Sequence, residues 1–175
     1  MAKNAFLKLG KILRNRKVSI ETKIRIINCY LVSILTYGSE CWTISATMEK
    51  RLESCEMWFL RRMLRISFTE HMSDEKVLER CNAERTLIKT IRKRQMCFLG
   101  HIMRKEGLEN LTLTGKIQGN ISCGRQKERS LGGWMIVQLK NEREVKDIVL
   151  TTLAATRDRV LWRAMIANVL NGQGA

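Results

Sequence analysis

Cys97 and His101 stand four residues apart in an amphipathic stretch. On a helix that spacing puts both side chains on one face, as two ligands for zinc would be. Cys81 and Cys123 are the cysteines offered to complete a set. Structural zinc sites pair their ligands closely at both ends, however, and Cys81 with Cys97 is not such a pair. The expected reading is a helix flank with no metal and no cofactor. Two-metal phosphoryl transfer needs converging carboxylates. The acids here are scattered: Asp74-Glu75 sits at a helix start, and Asp147 and Asp158 are isolated, so each is read as a cap, a dipole partner or a surface charge. No Gly-x-x-x-x-Gly-Lys-Ser/Thr loop is present to cradle a nucleotide. No residue is assigned a catalytic role, and the isolated chain is not expected to be an enzyme.

The cations carry a clearer message. Lys and Arg number 32 against 17 acids, a formal charge of +15 over 175 residues. A polyanion relieves such self-repulsion, which makes nucleic acid the expected partner and an anionic membrane the rival. Two groups are candidate phosphate contacts. Arg85, Lys89, Arg92 and Lys93 are expected along one side of a long helix, with Glu84 the only acid nearby. Lys116, Arg125 and Lys127 fall in a glycine-rich stretch, where bare backbone N–H groups can approach phosphates.

The elements that position these groups read as helices. The absence of proline suits long unbroken ones. The segment from Ala2 to about Val18 carries Lys3, Lys8, Lys11, Arg14, Arg16 and Lys17 with no acid, beside an apolar stripe of Phe6, Leu9 and Leu13. Ser19 caps the next helix, whose second half is apolar nearly all round and is expected to be central and buried; Gly38 suits its C-terminus. Ser45 or Thr47 caps a helix running to about Ile66, with Leu52, Cys55, Phe59 and Met63 inward and Arg61, Arg62 and Arg65 at its end. Ser73 opens a short helix. A long amphipathic one spans Glu84 to Glu106, with Leu87, Ile91, Phe98 and Ile102 on its apolar side. From Gly107 to Gly133 the periodicity disappears, apart from a β-like piece at Leu111–Thr114. The last helix, about Ala155 to Leu170, buries Trp162, Met165, Ile166 and Val169. Trp58 is also expected in the core, and Tyr37, Glu40 and Trp42 are expected to seal it rather than form a stacking platform.

Five blocks in register resemble a known family. They are Ile34-Leu35-Thr36-Tyr37-Gly38-Ser39-Glu40-Cys41-Trp42, the run Lys50 to Ile66, Phe98-Leu99-Gly100-His101-Ile102-Met103-Arg104, Gly115-Lys116-Ile117-Gln118-Gly119 leading to Gly124-Arg125-Gln126, and Asp158-Arg159-Val160-Leu161-Trp162-Arg163. Over nearly the whole chain the set resembles the C-terminal end of reverse transcriptases of non-LTR (LINE-type) retrotransposons. The resemblance implies the thumb and the segment downstream of it, which hold template and primer, without the magnesium-binding palm or the endonuclease. Ser33, the run Asn120 to Cys123 and Gly132 depart from the family's pattern and point to a decayed or truncated copy.

Taken together, the sequence predicts an all-α helical bundle of about five to seven helices, with a glycine-rich loop between two lobes. The expected organisation is a thumb-like helical domain over 1–106, a glycine-rich basic loop or linker over 107–133 and a C-terminal helical segment over 134–175. RNA, DNA or their heteroduplex is the expected partner, held through phosphates, with the parent polymerase palm as protein partner where a full enzyme exists. The other class of reading is a non-functional relic or a protein-interaction scaffold. No run of 18 apolar residues and no secretory leader is seen, and the six cysteines lack CxxC pairing. An intracellular chain, nuclear or cytoplasmic, with free thiols and no membrane partner is expected.

Overall fold

A computed structural model describes residues 1–105, 107–110 and 154–171. The class is all-α. Eight α-helical segments occur among the described residues: α1 (Ala2–Lys8), α2 (Gly10–Leu13), α3 (Ile20–Ile26), α4 (Ser33–Leu35), α5 (Ala46–Leu64), α6 (Asp74–Cys81), α7 (Leu87–Arg104) and α8 (Arg159–Leu170). The first expected helix breaks at Leu9 into α1 and α2, whereas the second runs on from α3 through a π-helical stretch, Ile27–Val32, into α4.

The starts of these helices are written locally. The Ser19 hydroxyl accepts from the Thr22 N–H, Ser45 from Met48 and Ser73 from Lys76, each satisfying a donor that the first helical turn leaves unpaired. Asp158 does the same for α8, accepting from the N–H groups of Val160 and Leu161. Gly38 takes φ +68°, the left-handed conformation that glycine adopts without steric cost. At the other end of α7, the Asn110 amide donates to the carbonyls of Met103 and Lys105.

The chain divides into two compact units, Met1–Ser39 with Ile44–Ile91, and Glu40–Thr43 with Arg92–Ala175. The division falls within α7. The first unit has a core built on Phe6, Leu13, Ile27, Leu31, Met57, Phe59, Met63 and Val77. Phe6 stacks on Phe59 with ring centroids 5.8 Å apart and meets the Trp58 ring edge-on at 5.2 Å. Seven residues are too few to hold a helix in water, so α1 depends on this aromatic anchor. The second unit gathers Met96, Leu99, Ala155, Trp162 and Ile166.

Three expectations about burial are corrected. The stretch Ile24 to Leu35 is not buried all round: Ile27 and Leu31 are, but Tyr30 is 61% exposed and Ile34 43%. Short helices covered on one side need only a stripe, and the π-helical register decides which residues form it. On α7, Phe98 points outward while Met96 and Leu99 are buried. Tyr37, expected to seal the core, is 85% exposed. No helix among the described residues is long and apolar enough to cross a membrane. Apart from 107–110, the expected linker, with its β-like piece at 111–114, lies outside the described residues.

Candidate nucleic-acid interface

The expected basic face depends on α7, and α7 begins on Glu56. This α5 carboxylate accepts from the N–H groups of Thr86 and Leu87 through Oε1, at 3.0 and 3.1 Å. Its Oε2 is buried without a partner. Burial pushes the Glu56 carboxyl above the ordinary glutamate range, against the two backbone donors, the Thr86 hydroxyl and the Arg85 charge, which pull it down.

Because the helix starts at Leu87, Arg85 lies in the segment before it and not on its face. Its guanidinium donates to Asp74 Oδ2 at 2.9 Å and lies 3.9 Å from Glu53. Arg85 is thus engaged within the first unit, which corrects the expectation that Glu84 is the only acid near the basic group. Glu84 itself lies 3.8 Å from Lys89, a loose pair between exposed groups that water screens. In the same unit, Lys89 keeps more than half of its side chain in solvent. In the second unit, Lys93 is exposed and Arg92 half-buried. Lys116, Arg125 and Lys127 lie outside the described residues.

Among the described residues the zinc-like spacing gathers no ligand set, and Cys123 lies outside them. Cys97 and His101 are both exposed on α7, and no group of three His, Cys, Asp or Glu suited to a metal occurs among the described residues. Burial pushes the Cys81 thiol up, which disfavours the thiolate that a metal binds. Cys29, Cys41, Cys55, Cys81 and Cys97 are all unpaired.

No family model, curated protein or solved structure matches the chain. What its surface can bind follows from the placement of its charges. Among the described residues, a dense cationic surface lies at the start of the first unit, where Lys3, Lys8, Lys11, Arg14, Arg16 and Lys17 are all exposed and the first acid is Glu21. Phe6 and Leu13 are fully buried, while Lys3 lies over the edge of that core, its ammonium 5.4 Å from the centroid of the Trp58 ring. Periodicity alone shows this segment. It does not show that the end of α5 reaches the same surface: the Arg65 guanidinium donates to the carbonyl of Arg14, 51 residues earlier. The sequence places Arg61, Arg62 and Arg65 at the end of this helix, and no local signal sets them beside Arg14.

Proposed function

We propose that this chain is a nucleic-acid-binding module, derived from the C-terminal part of a LINE-type reverse transcriptase and carrying no reaction of its own. It engages RNA or DNA through phosphates, and its protein partner is the parent polymerase palm. Its compartment in this reading is nuclear or cytoplasmic. The observation that carries the proposal is the run of six exposed cations between Lys3 and Lys17, unrelieved by any acid. With Phe6 and Leu13 committed to the core, Leu7 and Ile12 are the large apolar residues left exposed between Lys3 and Lys17, fewer than the broad apolar face of an interfacial membrane helix requires. Phosphates satisfy them by releasing condensed counterions.

Binding measured against salt tests this. With up to six phosphate contacts, the log–log salt slope on duplex DNA should approach roughly −5, at about −0.9 per contact. Unrelated sequences should bind alike, since phosphate contacts carry no base information. Binding to anionic liposomes with none to nucleic acid would reject the proposal.

A further inference from the structure

Within the first unit, the C-terminal half of α5 and the turn after it border a cleft of about 1130 Å³. Four guanidinium groups line it, from Arg14, Arg61, Arg62 and Arg65, together with one carboxylate, Asp74. That carboxylate is fully committed. Asp74 Oδ1 accepts from Arg61 at 2.6 Å, and Oδ2 accepts from Arg85 at 2.9 Å. Arg14, Arg62 and Arg65 form no ion pair with any carboxylate among the described residues. The cleft is a concentration of positive charge that the fold does not neutralise.

Two of these groups are held in place. Arg65 Nη2 donates to the Arg14 carbonyl, and the Arg62 guanidinium lies over the Trp58 ring, 5.4 Å from its centroid. Trp58 is fixed in turn by Phe6 and Phe59. A guanidinium stacked on an aromatic face keeps its edge donors available, and a restrained one loses less entropy on meeting an anion. Beside the charges lie apolar groups, the side chains of Met57, Ile66 and Met72. Planar forks for phosphate next to a flat apolar wall are the pairing that single-stranded nucleic acid needs, because its unstacked bases seek apolar and aromatic surface.

We infer that this cleft binds a segment of single-stranded nucleic acid, with its phosphates on Arg14, Arg62 and Arg65 and its bases against the apolar side chains of Ile66 and Met72, beside the Arg62–Trp58 stack. The inference rests on the nucleic-acid reading above and assigns that reading a site and a strand state.

The test uses the full chain and a labelled oligothymidine of about 12 nucleotides, within the usual span for strand-binding grooves, followed by anisotropy over a range of salt. The double variant Arg14→Gln with Arg62→Gln should shallow the slope by about 1.4, at ~0.7 per lost single-strand contact. Arg14→Lys with Arg62→Lys should restore it, because charge returns although the fork does not. Circular dichroism melting establishes that the variants are folded. A second readout needs no charge change: the strand should alter tryptophan emission in the parent, and Trp58→Phe should abolish most of that alteration while the strand still binds. If the parent binds the strand while the folded Gln variant keeps its slope, the cleft assignment is overturned and the broader reading stands. If the parent binds duplex DNA but not this strand at low salt, the cleft assignment falls alone; if it binds neither, both fall. Loss of binding to phosphatidylserine vesicles in the Gln variant, with strand binding intact, also overturns the assignment.

Discussion

The indole of Trp162 lies against the bare Cα of Gly100: a Cβ built on that glycine would sit 2.3 Å from Trp162 Nε1. The same Nε1 donates to the Met96 carbonyl at 3.0 Å, the oxygen that in an α-helix also serves the N–H of Gly100. Glycine in mid-helix costs roughly 1 kcal/mol relative to alanine. Here it allows α8 to bury its tryptophan against α7, and Trp162 is only 2% exposed.

Gly100→Ala should therefore destabilise the protein, although alanine is the better helix former. Displacing the indole costs about 1–3 kcal/mol as overpacking and leaves its buried N–H without an acceptor. Urea unfolding monitored by near-ultraviolet dichroism reads the outcome. A Gly100→Ala variant more stable than the parent would show that helix propensity wins and that the contact is unimportant.

Glu56 predicts a pH dependence. Its carboxyl is raised above the ordinary glutamate value of about 4.3. The folded state then holds the proton more tightly than the unfolded state. The resulting stability is fully present below the unfolded pKa and is lost as pH rises through the folded one. Glu56→Gln keeps an oxygen to accept from Thr86 and Leu87 but carries no buried charge, so it should remove this loss and match or exceed the parent at neutral pH. Glu56→Ala removes the cap of α7 and should cost about 1 kcal/mol. Denaturant titrations from about pH 4 to 7 compare the three; an unchanged pH slope in Glu56→Gln would assign the dependence to another group.

Asp74 holds two guanidiniums, and Asp74→Asn should release both. Each of the three side chains is about a third exposed. Screening therefore keeps the expected stability loss to about 1 kcal/mol. Nucleic-acid affinity should rise instead, with a steeper salt slope, as Arg61 and Arg85 become available to phosphates. Weaker binding by a folded variant would mean that the pair positions the arginines rather than occupying them.

Lys89 and Lys93 test the helix surface, one in each unit. Replaced singly by Gln, each should shallow the slope on duplex DNA by about 0.9 if it meets a phosphate. Helicity should survive, since Gln is nearly as good a helix former as Lys. The triple Lys116→Gln, Arg125→Gln, Lys127→Gln measures the glycine-rich stretch in the same assay. Parental slopes for the single variants and a loss only in the triple would move the contact to that stretch.

Chelation addresses Cys97 and His101. Both are exposed, with no third ligand gathered among the described residues. A chelator should leave the melting temperature unchanged, whereas a structural zinc would carry folding energy with it. A drop of several degrees together with stoichiometric zinc would reverse this.

The amino-acid sequence by itself determined what acts over one helical turn. Ser19, Ser45 and Ser73 each mark a helix start because the donors they satisfy lie three residues away. Phe6 and Leu13 declare a buried stripe by spacing alone, Gly38 takes its left-handed turn from its missing side chain, and the excess of cations is plain from composition. Tertiary structure decided what depends on residues distant in the chain. Arg85 reads as a free cation until Asp74 and Glu53 meet it, and Arg14 and Arg65 share a surface only once α5 packs. Gly100 reads as a weak point in α7 until Trp162 fills the space above it. A cap or a stripe is fixed by backbone geometry within four residues, whereas an ion pair or a close approach needs two segments to arrive together. No local pattern encodes that arrival.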